Sequence, residues 1–83
     1  MIDTASGNIY KYIIVEFSDL SISYAEMDSW EVAQETMKRR FADCLPEHLD
    51  GEADDLTFID DWEARIVDND GNIYYWKIIT IVV

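Results

Sequence analysis

The sequence predicts an α+β fold: a small two-layer sandwich in which an antiparallel sheet of about four strands (β-β-α-β-β) carries one helix on one face. Three observations predict it. Residues of alternating hydrophobicity occur towards both ends of the chain, an apolar stripe of helical period lies between them, and a hairpin-turn motif precedes the C-terminal stretch. With 83 residues, the chain is expected to form a single acidic domain spanning residues 1–83.

The first two strands are predicted at residues 9–17 and 20–24. In 9–17, β-branched and aromatic residues such as Ile13 and Val15 fall on alternate positions, which is typical of a strand. In 20–24, apolar residues alternate with serines, which favours a strand with one face in water. Residues 18–19 are expected to form the short turn between them.

A helix is predicted to begin after Asp28 or Ser29 and to end before Pro46, whose ring cannot continue a helix. Asp28 followed by Glu31 has the spacing of a capping box, and Ser29 is the alternative N-cap. Apolar residues recur at steps of three and four along this segment: Trp30, Ala33, Met37, Phe41, Cys44 and Leu45. Cys44 is therefore expected to be a small buried residue near the end of the helix.

A C-terminal hairpin is predicted from residues 62–67 and 73–83, which flank the turn sequence Asp68-Asn69-Asp70-Gly71-Asn72. Two registers are compatible with this turn. A two-residue turn would place Arg65 opposite Trp76. A three-residue loop with a left-handed Gly71 would place Ala64 opposite Trp76, and is preferred because it pairs a small with a large side chain.

The same preferred register places Ile66 opposite Tyr74 and Glu63 opposite Lys77, which brings opposite charges together. Residues 78–83 are apolar except for Thr80. That composition predicts a central strand covered on both faces. Residues 46–61 are expected to form a loop with a brief extended piece at 56–59.

The composition limits the classes of partner. Eighteen Asp and Glu against six Lys and Arg leave a formal net charge of −12, which disfavours direct binding to nucleic acid or to an anionic membrane. The single cysteine excludes an internal disulfide and is compatible with a reducing compartment. With no apolar run of membrane-spanning length and no signal-peptide pattern, a cytoplasmic location is expected.

The acidic residues are concentrated in one part of the chain. Residues 43–70 hold eleven Asp and Glu against one base, Arg65. So dense a cluster costs stability through self-repulsion, and it therefore predicts a docking surface for a basic partner protein. The alternative is a solvated acidic loop. The expected partner-binding residues are Asp50, Glu52, Asp54, Asp55, Asp60, Asp61, Glu63, Asp68 and Asp70.

Other motifs favour no reaction, metal or cofactor. If residues 68–71 are aligned to an EF-hand loop, Ile66 falls at the first ligand position and Lys77 at the bidentate glutamate, so no calcium site is predicted. The only histidine, His48, follows Cys44 at four residues. Neighbouring acids would raise the thiol pKa of Cys44, which disfavours a nucleophilic pair. We therefore expect a protein without enzymatic activity.

These features favour a small inhibitor or adaptor. The leading hypothesis is a nucleic-acid mimic or competitive inhibitor of a nucleic-acid-binding protein, of the phage-encoded anti-CRISPR or anti-restriction type. One alternative is an immunity protein or antitoxin that neutralises a basic nuclease, and another is a self-associating structural or accessory module. Some of the aromatic and aliphatic residues Tyr10, Tyr12, Tyr75 and Ile79 are expected to be exposed, which would also suit a homodimer.

Overall fold

The computed structural model of the protein describes residues 10–18 and 21–82. Within them the fold is α+β, with a five-stranded antiparallel sheet and one main helix. The predicted fold class is therefore confirmed, but the order along the chain is β-β-α-α-β-β-β rather than β-β-α-β-β. Predictions that fall outside the described residues concern Ile9, Asp19, Leu20 and Val83.

The elements are β1 (Tyr10–Ser18), β2 (Ser21–Met27), α1 (Trp30–Cys44), α2 (Gly51–Leu56), β3 (Phe58–Ile59), β4 (Glu63–Val67) and β5 (Ile73–Val82). The strand order is β2-β1-β5-β4-β3, so β5 is central, as its apolar composition predicts. Within residues 10–18 and 21–82, one face of β5 is covered and the other is not. Ile78 is 3% exposed beneath α1, whereas the adjacent Ile79 is 41% exposed on the other face. Coverage on both faces was therefore the wrong expectation, because α1 packs on a single face.

The core lies between α1 and the sheet. Its buried members are Ile14, Ala33, Met37, Ala64, Ile66, Trp76 and Ile78. The indole ring of Trp76 is fully buried and meets Phe41 of the helix edge-on, with ring centroids 6.2 Å apart. Tyr74 stacks beside the same indole with centroids 6.4 Å apart. One large aromatic residue on the central strand thus organises the packing of the main helix.

Helix α1 begins at Ser29, which is the N-cap and accepts a hydrogen bond from the Val32 N–H at 3.2 Å. Asp28 lies outside the helix. At the other end the Leu45 N–H donates to the Phe41 carbonyl at 2.9 Å, immediately before Pro46. Cys44 is exposed, which corrects the expectation of burial, because Phe41, three residues earlier, is the last residue of α1 that packs against the core.

The C-terminal hairpin has the preferred register. Ala64 pairs with Trp76, Ile66 with Tyr74, and Glu63 with Lys77. Gly71 has φ +86°, the left-handed conformation that the three-residue loop requires. Ala64 is fully buried beside Trp76, so the pairing of a small with a large residue is also found.

The segment expected to be a loop contains helix α2, which was not predicted, and β3, which lies within the extended piece predicted at 56–59. Ala53 is the only buried residue of α2, so the helix leaves no periodic apolar pattern in the sequence. Its end is attached to β4, since the Thr57 hydroxyl donates to the Ala53 carbonyl at 2.9 Å and accepts from the Val67 N–H at 3.0 Å. In β3, Phe58 pairs with Arg65 and extends the sheet. Among the described residues, no helix has the length and apolar character to cross a bilayer.

Candidate partner-binding surface

The nine predicted partner-binding residues carry negative charge that is mostly uncompensated. Seven of them are exposed, and Glu63 and Asp68 are half-buried. Within the described part of the chain, none of the nine forms an ion pair with Lys or Arg. Asp50 meets the His48 ring at 2.5 Å. These carboxylates therefore project a negative field into solvent.

The structure does not gather the nine residues into one cluster. Asp50, Glu52, Asp68 and Asp70 lie around the β4–β5 turn, whereas Asp60, Asp61 and Glu63 lie at the opposite end of β4. A strand of this length separates the two groups by roughly 13 Å. One acidic surface was predicted. In the structure, one acidic group lies at each end of β4, and Asp54 and Asp55 lie on α2.

The group at the β4–β5 turn is held together by Asn69. Its side-chain Oδ1 accepts from the Asp50 N–H at 2.8 Å, and its Nδ2 donates to the His48 carbonyl at 3.0 Å. This bridge fixes the start of α2 against the hairpin. An open groove of ≈ 320 Å³ lies between the two, with Asp50, Glu52 and Asp68 among its lining residues.

Asp68 is held by hydrogen bonds from its own turn. Its carboxylate accepts from the N–H groups of Asp70 at 3.0 Å and Asn72 at 2.9 Å. The Asn72 side-chain amide donates to the other oxygen at 3.0 Å. The Asn72 side chain, followed by its backbone N–H, lowers the pKa of Asp68. Asp68 is therefore an oriented carboxylate that stays ionised at neutral pH.

Asp60 is held in the same way at the other end of β4. One oxygen accepts from the N–H groups of both Trp62 and Glu63, each at 2.8 Å. These two bonds lower the pKa of Asp60, with Trp62 the larger cause. The neighbouring Asp61 accepts from Gln34 of α1 at 2.8 Å. Backbone and side-chain donors therefore fix the orientation of this acidic turn.

Glu63 lies on the sheet face turned away from α1, because its neighbour Ala64 on the same strand is buried in the core. The Tyr75 hydroxyl donates to its carboxylate at 2.6 Å. That bond is the main reason why the pKa of Tyr75 is raised to about 12. Glu63 is thus engaged within the sheet, which makes it a weaker candidate for direct contact with a partner than Asp60 or Asp61.

The arrangement suits electrostatic binding better than acid–base or nucleophilic chemistry. Carboxylates whose pKa is lowered by hydrogen bonds stay charged and are poor proton donors near neutral pH. Although Cys44 is exposed, partial desolvation of its thiol, followed by the charge of Glu16, raises the thiol pKa, which disfavours the reactive thiolate. No group of three or more His, Cys, Asp or Glu within residues 10–18 and 21–82 is arranged to hold a metal ion.

The sequence analysis missed Asn69 as the residue that joins the start of α2 to the β4–β5 turn, the two sides of the open groove. Its position in the turn sequence predicts a hairpin, but its contacts with His48 and Asp50 bridge about twenty positions of the chain. No local pattern reports such a contact. Comparisons with protein-family models, with curated proteins and with solved structures found no match, so a functional proposal must rest on the chain's own residues.

Proposed function

We propose that this protein is a non-enzymatic acidic inhibitor that binds a basic partner protein as a nucleic-acid mimic, of the anti-CRISPR or anti-restriction type. The observation that carries the proposal is the fixed orientation of Asp60 and Asp68, which lie among exposed carboxylates that have no Lys or Arg partner in the described residues. Both side chains are held by N–H donors of their own turns, which places charge at defined positions, as phosphates do along a nucleic-acid backbone.

Carboxylates with a fixed orientation are expected to increase the affinity for a basic partner as well as the rate of encounter with it. A side chain that is already oriented loses little conformational entropy when a partner binds it. The surrounding negative field accelerates the encounter with a basic surface, and added salt weakens it. A nucleic-acid-binding groove supplies rows of Lys and Arg that fit this charge. An immunity protein directed at a basic nuclease would use the same physics.

The test is affinity capture from a host lysate at low salt, with bound proteins identified by mass spectrometry. The test variant carries Asp54→Asn, Asp55→Asn, Asp60→Asn and Asp61→Asn. Asparagine retains an oxygen that can accept the N–H bonds while its charge is removed. The matched control removes four acidic charges outside residues 43–70: Glu26→Gln, Asp28→Asn, Glu31→Gln and Glu35→Gln.

We expect the parent and the control to retain a basic nucleic-acid-binding protein that DNA or RNA displaces, and the test variant to lose it. Equal capture by the folded test variant would show that these carboxylates are not the site. A captured nuclease whose activity the protein blocks would instead identify an immunity protein or antitoxin.

A further inference from the structure

We infer that the sheet face turned away from α1 is the interface of a symmetric homodimer. We call it the open face. Its strand residues alternate with those of the core: Ile14 is buried beneath α1, so Ile13 and Val15 lie on the open face. The registers place Ile79 beside Ile13 and Tyr24 beside Val15 on the same face.

The centre of the open face is apolar and largely uncovered. It consists of Ile13, Val15, Phe17, Ile22, Tyr24, Ile79 and Ile81 on the three adjacent strands β2, β1 and β5. Tyr24 is 77% exposed and Ile22 69% exposed. An extended apolar patch of this kind on a folded domain marks an interaction surface more often than a surface left in water.

Most charged side chains of the open face lie at the margins of this patch, while Lys77 lies on the central strand opposite Val15. At the β2 side, the Lys11 ammonium donates to Glu26 at 3.1 Å. At the β4 side, the Arg65 guanidinium lies 5.1 Å from the centroid of the Phe58 ring, and Glu63 is opposite Lys77 in the register. An apolar centre within a polar rim is the usual composition of a protein–protein interface.

The distribution of charge makes the open face the surface at which a second copy of this chain can approach with least repulsion. Among the residues that the structure describes, the open face carries three basic and two acidic side chains, a formal charge of +1: Lys11, Glu26, Glu63, Arg65 and Lys77. The rest of the chain carries sixteen acids and three bases, a formal charge of −13. Two copies of net charge −12 repel each other least when their open faces meet, because that approach keeps the two acidic remainders furthest apart.

A two-fold symmetric dimer also allows charges of opposite sign on the two open faces to pair across the interface. Each open face brings both signs to the interface, so the cations of one copy can lie near the carboxylates of the other. The five strands lie about 4.8 Å apart and average roughly 20 Å in length, which gives about 500 Å² of flat face per copy, so the pair would bury about the 1,000 Å² of a specific interface. The acidic turns at the ends of β4 stay accessible at its edge.

The proposed dimer does not depend on the proposed function. The two proposals are distinguished by the effect of added salt on self-association and on partner binding. Each copy carries a net charge of −12, so added salt should strengthen self-association by screening repulsion. Binding to a basic partner should weaken under the same change. A failure of one inference therefore leaves the other standing.

The experiment is sedimentation equilibrium of the full chain over a range of concentration and salt. The first test variant is Ile22→Lys with Tyr24→Lys, at two positions exposed enough for the fold to tolerate the change. The second is Ile79→Lys at the centre of the face. The matched control is Val32→Lys, because Val32 is 47% exposed on α1.

We expect the parent and the control to sediment at twice the 9.7 kDa chain mass, and both test variants to raise the dimer dissociation constant at least tenfold. Circular dichroism and thermal melting establish that each variant is folded. A parent that stays monomeric at every concentration overturns the inference, as does a folded double variant that dimerises like the parent.

Discussion

Arg40 and Glu16 form a two-point ion pair between α1 and β1. The guanidinium Nε lies 2.8 Å from Oε1 of Glu16, and Nη2 lies 2.7 Å from Oε2. The buried indole of Trp76 donates to the same Oε1 at 2.9 Å. The Glu16 carboxylate on β1 thus links helix α1, through Arg40, with the central strand β5, through Trp76. The Arg40 bond is the main cause of the lowered pKa of Glu16.

This geometry predicts unequal effects of removing the two partners. Glu16→Ala should lower the free energy of unfolding by about 2 kcal/mol, because it leaves the buried Trp76 N–H without an acceptor. Arg40→Ala should cost about 1 kcal/mol or less, because Arg40 is exposed and its pair is screened by water. Urea unfolding measures both, with Lys38→Ala as the control on the same helix. Equal losses for the two variants would contradict the role of Trp76.

The same pair predicts a dependence on pH. The pKa of Glu16 is lower in the folded protein than the ordinary glutamate value of 4.5. Its contribution is therefore present above that value and is lost as the pH falls through the folded pKa. We expect the stability difference between the parent and Arg40→Ala to shrink in acid. Urea unfolding at a series of acidic pH values checks this, and a constant difference would contradict it.

Gly71 is predicted to be sensitive to the replacement residue. Its φ of +86° is a conformation that residues with a Cβ rarely adopt. Gly71→Ala should therefore destabilise the protein by about 1 kcal/mol, while Gly71→Asn should cost less, since asparagine tolerates the left-handed region. Thermal denaturation of the three proteins side by side tests this order. Steric clash does not contribute, because a Cβ at this position would meet no atom within 4 Å.

The Tyr75 hydroxyl should lose its proton at a higher pH than an ordinary tyrosine. Its hydroxyl donates to Glu63, and the pKa of Tyr75 is raised to about 12. The stability that this bond supplies is present below the ordinary tyrosine pKa and is lost as the pH rises through about 12. Ultraviolet titration should show a late phase that Tyr75→Phe removes. Glu63→Gln should move that phase to lower pH, whereas Glu26→Gln should leave it in place.

Asn69 should affect the local stability of the start of α2 more than the global stability of the protein. Asn69→Ala removes the bonds to Asp50 and His48, so the Asp50 amide should exchange its hydrogen faster by at least tenfold. The global free energy of unfolding should fall by about 1 kcal/mol. Asp70→Ala in the same turn is the control. Unchanged exchange at Asp50 would show that the bridge does not hold the start of α2.

Several parts of the fold were predictable because local residues determine them. The register of the C-terminal hairpin follows from Gly71 in the turn and from Ala64 opposite Trp76, which lie within a short stretch of chain. The limits of α1 follow from a capping serine and from Pro46. In contrast, α2 was not predictable, because one buried alanine supplies no period and the anchor of the helix lies in a distant turn.

The candidate site shows the same division. Composition alone identified the excess of carboxylates in residues 43–70. It could not show that Asp60 and Asp68 lie at opposite ends of one strand, or that Glu63 faces away from α1 with Tyr75. Those placements depend on the turns on either side of β4 and on which face of the sheet the helix covers.

The sequence by itself determined the fold class, the main helix, the hairpin register and the acidic character, because each follows from period, turn residues or charge along the chain. Only the tertiary structure decided the second helix, the Asn69 bridge, the contacts of Glu16 and which residues form the exposed apolar face. Each of these arises between residues far apart in the chain, where packing against α1 selects one face of the sheet and leaves the other in solvent.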